Sequence, residues 1–351
     1  MFKNFFMGIA AMAALTLVSC SSDDLNSLSG TPSKNEAISF DSYLGRSAVS
    51  VNGSRGSVLD MDALKKPTEG FGVFGNYKEA EGLEYGSNWF NNVQVTYSSS
   101  PEPAKWTYEH TMYWLPQGHI DFLAYAPYEE GKTLTTSSIE FTVANKAADQ
   151  KDLLWANAAD MTKDKISSTN NKVKFKFAHA LSRLGYTVKT SLTDASTTIT
   201  LKKITLAGSA TEPTKTAFYT KGTIDLSKAN NATDLWTPSD TKQNFTWFDE
   251  SQNVTSTSVP NSDANYLFVI PQNFSASATD KLYVIVEYTI EGYKGVKTPM
   301  TNTVYKQVEK NFEQGQAYTI NLTLGLTPIE FDVTTVEGWN DINQNDINAW
   351  N

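Results

Sequence analysis

The sequence predicts an all-β protein made of two antiparallel β-sandwiches. Apolar and polar residues alternate at period two in several rows. Val173, Phe175 and Phe177 alternate with Lys172, Lys174 and Lys176, and Leu282, Val284, Val286, Tyr288 and Ile290 form a second row. Tyr318, Ile320, Leu322, Leu324 and Leu326 alternate with Thr319, Asn321, Thr323, Gly325 and Thr327. Successive side chains of a strand point to opposite faces, so each row reads as a half-buried strand. No stretch spaces apolar residues at i, i+3, i+4 and i+7, and the chain is rich in Thr, Ser, Asn, Tyr and Val. Turn signals on both sides of the strands favour sandwiches.

The chain begins with Lys3 and an uncharged run from Phe5 to Val18, which ends in Leu17-Val18-Ser19-Cys20. That run is too short to span a bilayer, but it suits a secretory signal over residues 1–19. The ending resembles a bacterial lipobox, after which the cysteine is acylated, as by palmitate. Cys20 is the only cysteine in the chain, so the exported part has no disulfide and no thiolate metal site. Residues 20–36 are small and polar and read as a flexible tether. Their Ser21-Ser22-Asp23-Asp24 start resembles the acidic export signal of surface lipoproteins.

Two places change the phase of the alternation. Apolar residues pass from odd positions to Leu184, Tyr186 and Val188 after Leu181, and from Ile199-Leu201 to Ile204-Leu206 across Lys202-Lys203. Each slip predicts a bulge or a break, because otherwise the buried set would turn to water. Ile139-Phe141-Val143 and Ile329-Phe331-Val333 are shorter strands, and residues 144–149 and 225–230 could each make a helical turn. The polar segment from Thr162 to Lys172 predicts a boundary between sandwiches at 37–165 and 172–351.

Composition narrows the function. The net charge is −9 and no block of Lys or Arg offers a face to phosphates, so nucleic acid is not an expected partner. Gly70-Phe71-Gly72-Val73-Phe74-Gly75 matches G-x-G-x-x-G, yet no helical pattern follows it, and a buried strand is the better reading. Residues 341–346 resemble the start of a calcium loop but lack its glycine and its closing glutamate. His110, His119 and His179 have no ligand spacing, so no metal or other cofactor is expected. His179 continues the buried face of Val173, Phe175 and Phe177. Without a G-x-S-x-G elbow, the chain is not expected to be an enzyme. The eight tryptophans and sixteen tyrosines could form a sugar platform, although most sit in alternating runs where packing explains them. Of three arginines, Arg46 falls inside the first strand-like region, Ala37 to Val51, and Arg55 just beside it.

In order along the chain, the lipobox is followed by Ala37-Ile38-Ser39-Phe40 and then Phe71-Gly72-Val73-Phe74. Next come Tyr113-Trp114 and the run from Ile120 to Pro127. Phe177-Ala178-His179-Ala180-Leu181-Ser182-Arg183-Leu184 forms an F-x-H-x-L-S-x-L pattern, and the runs Tyr266 to Gln272 and Gly315 to Ile320 close the series. With these motifs the chain resembles the fimbrillin (Mfa-like) lipoproteins, pilin subunits of type V pili. The resemblance implies two tandem transthyretin-like sandwiches and a structural, adhesive role. It implies an outer-membrane lipoprotein that a trypsin-like protease cuts after Arg46, or as second choice Arg55, and that then enters a fimbrium on the cell surface. The first strand would leave, and a strand from another pilin subunit would replace it. The donor strand would lie near Ile329, Phe331 and Val333. The alternative is a glycan-binding surface lipoprotein that does not polymerise.

Overall fold

The computed structural model describes residues 37–44, 59–66, 68–78, 89–115, 117–212, 214–229, 232–262, 265–326 and 330–336. In chain order come β1 (Phe40–Leu44), the one-turn helix α1 (Met61–Leu64), β2 (Phe71–Lys78), β3 (Phe90–Ser98), β4 (Lys105–Thr107), β5 (His119–Ala126), β6 (Ser138–Thr142), β7 (Leu154–Met161) and β8 (Val173–His179). There follow β9 (Ser182–Thr190), β10 (Thr198–Ala207), β11 (Phe218–Tyr219), β12 (Lys221–Asp225), β13 (Trp236–Pro238), β14 (Lys242–Gln243), β15 (Phe245–Val254) and β16 (Val259–Pro260). The rest are β17 (Leu267–Val269), β18 (Gln272–Asn273), β19 (Leu282–Glu291), β20 (Met300–Val308), β21 (Asn311–Phe312), β22 (Ala317–Leu324) and β23 (Glu330–Val336). The protein is all-β, as the alternation predicts.

One seven-stranded sheet runs β1-β8-β7-β5-β2-β3-β4. Phe40 of β1 and Trp106 of β4 come from its two ends yet belong to one buried cluster with Phe71, Phe122 and Phe175. The sheet therefore curls around its own apolar face. A larger cluster fills the space between a four-stranded sheet, β15-β10-β19-β20, and a five-stranded one, β16-β9-β22-β23 with β17 also on β9. Leu201 and Val286 face it from the first of these sheets, Leu184 and Ile320 from the second. The polar segment at 162–172 holds a short 3-10 turn, Lys165–Thr169, and joins β7 to β8 within the curled sheet.

Both phase slips have a structural cause. Between Leu201 and Lys203 the register of β10 shifts against both neighbours, leaving Lys202 as an extra residue opposite β19. After His179 the chain leaves β8 and enters β9 of a different sheet. Two pairs, β1 with β8 and β9 with β22, are parallel, whereas the other strand pairs among the described residues are antiparallel. Period-two alternation is the same in either direction, so it gives no warning of this.

The helical turns come out unevenly. Residues 147–149 form a 3-10 turn. After Asp225 there is instead a turn in which the Asp225 carboxylate accepts the N–H of Ser227 at 3.0 Å. α1 is an element that alternation does not reveal; Asp60 caps it by accepting the Ala63 N–H at 2.7 Å.

Candidate functional site

β1 is short, buried and paired on one side only. Its parallel register on β8 runs from Phe40 opposite Val173 to Leu44 opposite Phe177. It ends the sheet, and among the described residues no strand pairs with its other edge. Alternation turns Phe40, Ser42 and Leu44 inward, with Ile38 ahead of them, and all four are buried. The Phe40 ring stacks on Phe175 at 5.5 Å and meets Phe90 and Phe122 edge-on at 5.6 and 5.4 Å. Ser42 fits less well, because its buried hydroxyl has no hydrogen-bond partner among the described residues. Such a group costs about 1–3 kcal/mol.

The residues before β1 are strapped to the segment after β4. Ile38 donates its N–H to the Met112 carbonyl at 2.7 Å, and its carbonyl accepts the Tyr108 hydroxyl at 2.6 Å. Ala37 bridges to Tyr113. Cys20, Arg46, Arg55 and Ile329 lie outside the described residues. Phe331 and Val333 lie in β23, which pairs with β22 at the edge of its sheet.

The F-x-H-x-L-S-x-L segment is the seam between the two clusters. The Nδ1 atom of His179 sits 2.8 Å from Oδ2 of Asp152, and that oxygen also accepts the Leu59 N–H at 3.0 Å. His179 is thus a core histidine held through Nδ1; its partner Asp152 carries no local signal in the sequence. Ser182 donates its hydroxyl to the Glu313 carbonyl at 2.7 Å, and the Arg183 guanidinium lies 4.5 Å over the Tyr266 ring. On β9, Leu184 pairs with Leu267 on one side and Tyr318 on the other. Three motifs far apart in sequence therefore meet on one strand.

The other candidates resolve simply. Gly70 to Gly75 enter β2, which lies between β5 and β3 and leads into no described helix. Among the described residues no cluster of His, Cys, Asp and Glu is placed to hold a metal. Trp106, Trp114 and Trp247 are buried, while Trp89 and Trp236 are half-buried against Tyr77 and Phe141. They form no exposed row of rings.

A family model described as Fimbrillin-like matches residues 61–339. The chain belongs to the fimbrillin-like family. The solved structure of a fimbrial protein from Bacteroides vulgatus ATCC 8482 shares the fimbrillin-like fold, with a TM-score of 0.63 and 22% identity over 87% of this chain and 100% of that one. A candidate cell adhesion protein from Bacteroides uniformis ATCC 8492 has a TM-score of 0.50 and 18% identity over 86% and 98% of the two chains. No curated protein matches the chain.

Proposed function

We propose that this protein is a structural and adhesive subunit of a type V pilus, assembled by donor-strand exchange. Family membership supports a pilus or adhesion role at the cell surface, in contact with other pilin subunits. One observation supports the finer reading: β1 buries a full row of side chains while pairing, among the described residues, with β8 alone. Its departure would bare the β8 edge beside Phe90, Phe122 and Phe175. An unpaired edge over apolar pockets is a template for another extended chain.

In this reading the precursor is held to the outer membrane by lipid on Cys20. A trypsin-like protease cuts after Arg46, or after Arg55 as second choice, and the first strand leaves with tether and lipid. Two tandem transthyretin-like sandwiches remain, the first of them without β1. The donor is the C-terminal segment around Ile329, Phe331 and Val333. As an edge strand, β23 would break only one ladder on leaving its sheet.

Limited trypsin digestion tests this. The folded chain should lose its first strand, resist further cutting, and then form a ladder of oligomers that boiling disperses. Arg46→Ala should abolish both trimming and ladder. A trimmed protein that stays monomeric at high concentration removes the exchange reading.

A further inference from the structure

The outer edge of β3 carries a built feature that strand exchange does not use. Val93 pairs with Val73 and Phe90 with Gly75, so Asn91 and Asn92 together face Phe74 alone in a β-bulge. Asn92 takes a left-handed φ of 52°. Its Oδ1 accepts the Tyr125 hydroxyl at 2.7 Å, and its Nδ2 donates to the Glu129 carbonyl at 2.9 Å. Gly72 leaves room for this arrangement, since a Cβ there would lie 2.4 Å from the Tyr125 ring. The bulge is therefore held rigidly from below, and Asn91 stands exposed above it.

Between this edge and the segment from Thr107 to Met112 lies a groove of about 580 Å³. Asn91, Gln94, Thr96, Thr107, Tyr108, His110 and Tyr128 are among the residues that line it, with Asn92, whose amide is already engaged by Tyr125 and Glu129. No Lys or Arg lines it, and its one basic side chain, His110, faces Glu109 at 3.7 Å, so a phosphate or carboxylate would meet a carboxylate beside that ring. Glu109 is its one carboxylate, too few for a metal cage. Amides and hydroxyls both donate and accept, and tyrosine rings offer an apolar face. That combination suits a neutral, polyhydroxylated ligand.

We propose that this groove binds a neutral saccharide. Its outer wall is fixed by the residues leading into β1, since Tyr108 bonds to Ile38 and also accepts the Met112 N–H at 3.3 Å. Binding belongs to the state in which that position is filled. The site does not depend on polymerisation. A bulge can also simply protect a sheet edge from other strands, and the experiment separates the two roles.

The full-length chain in detergent is tested against immobilised albumin conjugates bearing terminal galactose, mannose or N-acetylglucosamine, beside a sulfated conjugate and a strand-forming peptide. At least one neutral conjugate should be retained. Asn91→Ala and Gln94→Ala should each weaken retention about tenfold, with circular dichroism and the trypsin-induced ladder unchanged. Tyr108→Phe should weaken it as well. The proposal is overturned if no neutral conjugate is retained, if the variants bind as well as the parent, or if only the sulfated conjugate or the peptide binds.

Discussion

Nδ1 of His179 lies 2.8 Å from Oδ2 of Asp152, and neither side chain reaches solvent. Through the Leu59 N–H on the same oxygen, the pair ties Leu59, just ahead of α1, to β8, the strand on which β1 rests. Removing one partner leaves a buried polar group uncompensated. His179→Ala should therefore cost about 1–3 kcal/mol in chemical denaturation. The Leu59 amide should lose protection from hydrogen exchange, and unchanged protection there would refute the tie.

Ser42 is the weak point of β1. Replacing its unpartnered hydroxyl by a methyl hydrogen, as Ser42→Ala, removes a desolvation cost without adding volume. The variant should gain about 1 kcal/mol, read as a higher melting temperature, and should form the trypsin-induced ladder more slowly. A lower melting temperature would mean that the hydroxyl is satisfied.

The Lys202 bulge keeps both halves of β10 facing one core. Deleting Lys202 turns Ile199 and Leu201 outward if Ile204 and Leu206 hold their register. Exposing each such side chain costs about 1.5–3 kcal/mol. The deletion should yield insoluble or molten protein, whereas Lys202→Ala should fold normally. A well-folded deletion variant would show that the bulge is dispensable.

Glu129 makes stability depend on acid. Burial alone would raise its pKa, but Lys132 at 2.6 Å and Lys151 at 3.3 Å outweigh burial and hold it below the ordinary 4.5. The folded state thus binds the proton less readily than the unfolded chain does. The stabilisation is complete above about pH 4.5 and is lost as pH falls through the lower folded value. Because the carboxylate is 31% exposed, solvent screens the effect and it should be small. Glu129→Gln should flatten the acid side of the stability–pH curve; an unchanged slope would exclude this pair of lysines as the cause.

Much of the fold is legible in short stretches of sequence. Val173-Phe175-Phe177 and the row from Leu282 to Ile290 form strands with the expected faces buried, and the row from Tyr318 to Leu326 does so as far as Leu324, beyond which Leu326 is exposed. Ile199 through Leu206 even locates its own bulge. The site is less legible. His179 is visible as a buried-face residue, but Asp152 lies 27 positions away in a segment with no period. The bulge at Asn91 and Asn92 is invisible as well, because it is defined by the partner strand β2.

The sequence by itself determined the all-β class, the inward face of each strong strand, the breaks in phase and, through its ordered motifs, the fimbrillin-like family. These depend on side-chain alternation, which is a local property of an extended backbone. Tertiary structure alone decided that β1 runs parallel to β8, that His179 meets Asp152, and that three motifs converge on β9. It also decided that Asn91 and Tyr108 border one groove. Those relations depend on which distant strands pair and in which direction, and alternation is indifferent to both.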